Sequence, residues 1–265
     1  MAYLGYIGAL FIGLILGLTG GGGSILTVPV LVYVLGYNPV IAAAYSLFIV
    51  GSTSAFGSII NFRKGIVEAK TAFLFAIPSF TAVFLTRKFI VPAIPEMFFQ
   101  NTHLYITKDI FLMVLFSVVM VVAALSMLRK KSQPVNSMYA KPNYVFSILK
   151  IMAVGILIGL VGAGGGFLII PALVLMVKLP MRKAIATSLV IISLNSLIGF
   201  TGDIGNFDID WGFLIRFTLL AIVGIFTGIY LSKFINETHL KKGFGWFILL
   251  MALFIFTKEL FFRSQ

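Results

Sequence analysis

Residues 17–29 read GLTGGGGSILTVP, and residues 159–171, 142 positions later, read GLVGAGGGFLIIP, with seven of the thirteen positions identical. The correspondence runs on without a gap, pairing Leu31 with Leu173, Ala42 with Ala184, Ala44 with Ala186, Ser46 with Ser188, Leu47 with Leu189, Ser54 with Ser196 and Gly57 with Gly199. An internal duplication of this length restricts the chain to folds made of two copies of one unit. Each copy also carries a glycine run inside apolar sequence, where an uninterrupted helix would exclude glycine. Matching breaks in the two halves of a membrane chain are the sequence mark of a transporter's binding site.

The surrounding composition is that of a membrane protein. Of the 265 residues 60% are hydrophobic and 11% charged, with 27 Phe and a mean hydropathy of +1.10. Several apolar runs approach or exceed the ~20 residues that a spanning helix needs. The first run starts at Tyr3 without a basic leader or a cleavage site, and it leads straight into the glycines, so it reads as mature protein. The absence of cysteine excludes disulfides, thiolate metal sites and cysteine nucleophiles.

Ten apolar segments are expected. In the first half they are Leu4–Leu18, Ile25–Leu35, Pro39–Ile60, Ala69–Ile90 and Ile110–Leu128; in the second, Tyr144–Leu160, Phe167–Val177, Ala184–Gly202, Trp211–Leu231 and Phe244–Thr257. Residues 129–142, RKKSQPVNSMYAKP, are polar, basic and broken by proline, and they read as a linker. The division is thus a first membrane repeat over 1–128, a basic cytoplasmic linker over 129–142 and a second membrane repeat over 143–265.

The net charge of +12 is distributed by loop. Arg129, Lys130, Lys131, Lys141 and Lys150 form the most basic region, which the excess of Lys and Arg on cytoplasmic loops places inside. Counting spans from there also puts Arg63, Lys64, Glu68 and Lys70 inside, together with Lys178, Arg182 and Lys183 and with Lys233, Glu237, Lys241 and Lys242. Glu96, Asp109, Asp203, Asp208 and Asp210 fall outside. The four inside regions sum to +12 and the rest of the chain to zero. The basicity is therefore topology, and a nucleic-acid partner is not called for.

Aligned loops of the two copies fall on opposite sides in this scheme, which implies inverted repeats. The segments Leu4–Leu18 and Ile25–Leu35 would give ~22 and ~16 Å of helix against a ~30 Å core. The expected fold is all-α and polytopic, with two inverted repeats. Each has a glycine-broken half-helix pair followed by three spanning helices; a tilted first segment that crosses completely is the alternative.

Half-helices beginning at Ser24 and Gly166 would direct free N–H groups and positive dipole ends toward the break, making an anion site without a cationic side chain. Gly21, Gly22 and Gly23 in the first copy and Gly164, Gly165 and Gly166 in the second are the candidate cradle, with Ser24 beside them. Close helix packing is the other reading of the glycines. Ser46, Thr53, Ser188 and Asn195 are polar at membrane depth, as ligand-lining groups or as bonds between helices. Arg216 lies inside its segment, either attracting anions or reaching to the interface. No carboxylate is expected at the midplane, so coupling through a titrating side chain has no support. His103 and His239 read as solvated loop residues, and no metal, cofactor, nucleotide-binding lysine or catalytic motif is indicated.

The paired glycine motif, together with AYSL at Ala44–Leu47 and ATSL at Ala186–Leu189, resembles the TauE/SafE family of sulfite and organosulfonate exporters. The resemblance covers nearly the whole chain. It implies a bacterial or archaeal inner-membrane permease for sulfite, sulfonates or related small sulfur-containing organic acids, in a family whose members differ in substrate and in direction. Ser24 in place of Gly166 makes the two half-sites inequivalent. The function expected is a secondary transporter of small anions, working by alternating access between the two broken helices, with the anionic substrate and membrane lipids as its expected partners. An anion channel, and a non-transport protein holding an anionic lipid or metabolite, are the alternatives.

Overall fold

The computed structural model describes residues 2–101, 104–128 and 144–262, so the expected linker lies outside the described residues. In the first half, α1 (Ala2–Thr19) is followed by α2 (Gly22–Pro29, prolonged by a π-helical turn at Val30–Val34). Then come α3 (Pro39–Arg63), α4 (Ala69–Ala93) and α5 (Lys108–Leu128). In the second half, α6 (Tyr144–Val161), α7 (Gly166–Met176), α8 (Met181–Thr201), α9 (Trp211–Leu231) and α10 (Glu237–Phe262) repeat the order. Among the described residues the only strands are β1 (Met97–Asn101) and β2 (Leu104–Thr107), an antiparallel hairpin between α4 and α5.

Local chemistry accounts for the helix ends. The Asn38 side chain accepts from the Val40 N–H at 2.8 Å with Pro39 in the first turn, and Asp210 accepts from the Phe213 N–H at 2.9 Å, so α3 and α9 each start at a capping side chain. The ends of α2 and α7 are built alike. Tyr37 donates its N–H to the Leu31 carbonyl at 3.0 Å, and Leu179, 142 positions on, donates to Leu173 at 3.2 Å. Both turns pass through a left-handed residue, Gly36 (φ 76°) in one and Lys178 (φ 61°) in the other.

By length and apolar composition α3, α4, α5, α8 and the segment Trp211–Phe234 can cross a membrane, and α10 is longer still at 26 residues. Their outward faces are apolar: Phe73, Leu74 and Ile77 on α4, Val118 and Val122 on α5, Leu219 and Val223 on α9, and Leu250 and Leu253 on α10 are all exposed. Such a belt is stable only against lipid. The molecule is an all-α polytopic membrane protein, with α3 and α8 the most deeply buried of its long helices.

The helices pack in matched pairs. α1 lies along α9 as α6 lies along α4; α8 touches α4 as α3 touches α9; α3 meets α8, and α5 meets α10. Individual bonds are matched too. The Tyr45 hydroxyl accepts from the Asp210 N–H at 2.8 Å, and the Thr187 hydroxyl, 142 positions on, accepts from the Glu68 N–H at 3.1 Å. The α1–α9 contact is made by two GxxxG stretches, Gly13/Gly17 and Gly224/Gly228, so close that a Cβ on Gly17 would come 2.5 Å from the Ile225 carbonyl. On α6, Gly155 and Gly159 press on Ser79, Ala82 and Thr86 of α4. Small residues let backbones approach where water gives no hydrophobic drive.

Two differences from the expected segments follow from this packing. α1 has 18 residues, ~27 Å of helix, and Gly17 lies against Ile229 close to the end of α9. The first helix of the pair therefore runs almost as far as its spanning neighbour, rather than stopping half-way. The second helix begins at Gly22, two residues before Ser24, because Thr19 Oγ1 accepts the Gly22 N–H at 2.8 Å and caps the new helix. Val161 holds the equivalent place in the second copy and can accept nothing, and there α7 begins at Gly166 as expected.

Candidate functional site

The two glycine breaks meet each other. A Cβ on Gly21 would fall 2.5 Å from the Gly166 carbonyl carbon, so the backbones are in direct contact and only glycine fits at either place. Gly164 (φ 64°) and Gly165 (φ 72°) turn through the left-handed region, whereas Gly22 and Gly23 are already helical and Gly23 packs on Ile12 and Leu16 of α1. Ser24 donates back to the Gly21 carbonyl at 2.6 Å. Both breaks are wholly buried. Each also rests on a central helix, at equivalent positions: Gly20 against Ile185 of α8, and Gly162 against Ala43 of α3.

Two buried polar groups of α8, Ser188 and Ser196, adjoin these breaks, and others lie along α3 and α8. Ser188 donates to the Gly20 carbonyl at 3.0 Å as well as to Ile185 at 2.8 Å, tying α8 to the first break. Asn195 Oδ1 accepts from the Ser79 hydroxyl at 2.8 Å, which makes one half of its amide a bond between helices. Its other half, Asn195 Nδ2, is buried without a partner, as are Ser46 Oγ, Thr53 Oγ1, Ser54 Oγ and Ser196 Oγ. Ser196 Oγ sits 3.0 Å from the place a Cβ on Gly164 would take. Each unpaired buried group costs about 1–3 kcal/mol. Five of them lie on the two crossing helices α3 and α8, and Ser196 adjoins the second break.

A cavity lies at each end of this arrangement. One, of about 150 Å³, is lined by Gly17, Asn61, Lys64, Arg182, Ile185 and Lys233, and it reaches Ile185 beneath the first break. The other, of about 410 Å³, is lined by Asn38, Lys108, Asp109, Asp203 and Asn206 among others. Asp203 is buried there and paired with Arg87 of α4, Nε to Oδ2 at 2.7 Å and Nη2 to Oδ2 at 2.6 Å. Burial pushes the Asp203 carboxyl above the usual carboxylate range, and the guanidinium acts in the opposite sense. Arg87 is itself fully buried, and its Nη1 has no partner.

Sequence reasoning located the breaks and the polar positions of α3 and α8 but missed Ser54, Ser196 and Arg87. The serines were already visible as an aligned pair. Arg87 reads in sequence as a long side chain near a helix end, and its partner is 116 residues away. Arg216 is exposed, with Nε donating to the Gly212 carbonyl at 2.8 Å; His239 is exposed at the start of α10, and His103 lies outside the described residues. Among the described residues no three His, Asp or Glu side chains gather as metal ligands would.

Comparison with known proteins gives one family. The family described as "Sulfite exporter TauE/SafE" matches residues 6–259. A "Probable membrane transporter protein" of Xylella fastidiosa (strain 9a5c) is 30% identical over 251 residues, covering 92% of this chain and 90% of the relative. The "Probable membrane transporter protein YunE" of Bacillus subtilis (strain 168) is 27% identical over 259 residues, covering 87% and 88%. No solved structure matches the chain. A match over almost the whole length, on a bundle with paired glycine breaks, makes the chain a multi-pass membrane transporter of the sulfite exporter TauE/SafE family, and not an enzyme.

Proposed function

We propose that the chain is a secondary carrier of small sulfur-containing oxyanions, sulfite and sulfonates first, in a bacterial or archaeal inner membrane. In this reading residues 1–128 and 143–265 are inverted repeats, joined by a cytoplasmic linker. The substrate is held between the glycine breaks and the polar groups of α3 and α8, namely Ser46, Thr53, Ser188 and Asn195, with Ser54 and Ser196. The observation that carries the reading is the set of five unpaired buried polar atoms on α3 and α8, of which Ser196 Oγ adjoins Gly164 of the second break. They supply hydrogen-bond donors with no opposing carboxylate, which suits an anion.

Alternating access, rather than a channel, is favoured by the direct backbone contact of Gly21 with Gly166, which leaves no open path between the two breaks. Inversion is supported by the aligned loops: Lys64 lines one cavity, and its equivalent, Asn206, lines the other. The deciding experiment is counterflow of labelled sulfite in sealed vesicles. Unlabelled sulfite loaded inside should accelerate entry of the label and carry it transiently above equilibrium. Entry that ignores the internal sulfite would establish a channel instead.

A further inference from the structure

The Arg87–Asp203 pair has no equivalent in the other copy of the duplication. The positions 142 residues away are Ile229 for Arg87 and Asn61 for Asp203, an apolar side chain and a neutral amide, both buried and both lining the cavity of about 150 Å³. The same place in the fold is therefore filled without charge in one copy. A buried ion pair loses hydration that its own attraction need not offset, and apolar residues of similar volume often serve stability as well or better. Packing thus leaves the pair unexplained.

Its geometry is that of an incomplete receptor. Both short contacts from Arg87, through Nε and Nη2, end on Asp203 Oδ2. Among the described residues no donor reaches Asp203 Oδ1, and the fully buried Nη1 of Arg87 has no partner. Asp203 lines the cavity of about 410 Å³, a volume within the ~300–1,000 Å³ usual for ligand sites. Burial raises the proton affinity of its carboxyl, while the guanidinium acts in the opposite sense. Asp203 also lies two residues past Thr201, the last residue of α8, at the negative end of the helix dipole, which works in the same direction as burial. The other ionisable groups around the cavity are engaged elsewhere: Lys108 lies 3.7 Å from Glu96, and Asp109 accepts from Asn38 at 2.8 Å. Lys88 of α4 lies over the rings of Phe84 and Phe89, and Asp208 and Asp210 are exposed. The charge that acts on Asp203 is that of Arg87.

We propose that the pair is a proton-linked anion receptor: a proton from the cavity binds Asp203 at Oδ1 and releases Arg87, and a singly charged oxyanion such as a sulfonate takes the place of the carboxylate on the guanidinium. Charge balance enforces the coupling. Arg87 with ionised Asp203 is neutral, and so is Arg87 with a protonated Asp203 and a monoanion. A proton alone strands a buried cation, and an anion alone sets two negative groups on one guanidinium, so the two bind and leave together. As the anion departs, the proton returns to water and the ion pair re-forms. The inference rests on the transport reading above and adds the proton as its coupling ion. In sequence Asp203 reads as one more loop carboxylate, and only its burial against Arg87 gives it this role.

The test uses the purified protein in proteoliposomes with labelled methanesulfonate, a strong-acid anion that carries no proton of its own. Acidifying one side should drive accumulation of the label on the other. Binding needs the protonated carboxyl, so the half-saturating concentration should rise with pH, by up to about tenfold per pH unit, the limit for one linked proton. Asp203→Asn fixes the neutral state. It should show the parent's low-pH half-saturation at every pH, within about twofold, and lose accumulation driven by the pH gradient; a role confined to holding helices together would leave the pH dependence in place. Arg87→Ile with Asp203→Asn copies the residues of the other half, so it should keep the parent's thermal unfolding midpoint while half-saturation rises about tenfold or more at every pH. Either variant that folds and keeps accumulation driven by the pH gradient overturns the receptor, as does a parent that exchanges methanesulfonate but never accumulates it, and in both cases transport stands. A parent that exchanges labelled sulfite but no methanesulfonate also overturns the receptor alone. One that exchanges neither removes the transport reading, and the receptor with it.

Discussion

Thr53, Ser54 and Ser196 each bury a hydroxyl that the surrounding helices do not satisfy, and this sets a signature that a packing role would not show. Thr53→Val, Ser54→Ala and Ser196→Ala each remove an unpaired polar atom, so the empty protein should keep or gain stability, by up to about 1–3 kcal/mol. Sulfite transport should nevertheless fall about tenfold, the equivalent of one lost hydrogen bond. Thermal unfolding and vesicle flux measured on the same preparations check both halves, and a parallel loss of stability and flux would return these hydroxyls to packing. The Arg87–Asp203 pair behaves in the opposite way. Asp203→Ala strands a fully buried guanidinium and should cost about 3–5 kcal/mol, while Arg87→Met with Asp203→Ala should recover most of that loss. Composition could not reveal this pair, because Arg87 and Asp203 meet only when α4 and the end of α8 are brought together.

At the scale of elements, the sequence read the count and order of helices well, since ten apolar segments with punctuating Gly and Pro are strong local signals. It placed the end of α1 one residue short, at Leu18, and the start of α2 two residues late, at Ser24, and left open whether α1 crosses completely, for reasons that are not local. α1 is held to its full length by the backbone contact of Gly13 and Gly17 with Gly224 and Gly228, more than 200 residues away, although GLILG and GIFTG were both legible as GxxxG strings. α2 starts early because one threonine, Thr19, caps it. The close contact predicts that Gly228→Val, whose side chain would meet the Leu14 carbonyl, destabilises the protein by about 1–3 kcal/mol. Gly159→Val, at the matched crossing against Thr86, should cost a similar amount. Gly243→Ala on α10 has nothing within 4 Å of the added Cβ and should instead stabilise by about 0.5–1 kcal/mol. Midpoints of thermal or denaturant unfolding will rank the three.

For the whole molecule, the duplication was the most informative part of the sequence, because each matched pair of helices and bonds recurs at an offset of 142 residues. What it left open was the direction of the second copy, which depends on which loops share a face. The structure groups the Lys183–Glu68 bridge and the bonds from Arg182 to the Lys233 and Ile235 carbonyls at one set of helix ends. The bond from Asn38 to Asp109 and the pairing of Lys108 with Glu96 lie at the other. Lys64 and Asn206 are equivalent in the duplication, and the inverted reading puts them on opposite sides of the membrane, whereas a parallel duplication would put them on one. The chain contains no cysteine, so Lys64→Cys and Asn206→Cys can each be made as the single thiol in the protein. In intact cells an impermeant maleimide should label the cysteine at 206 directly, and the one at 64 only after the membrane is opened. Labelling of both from the same side would reject the inversion.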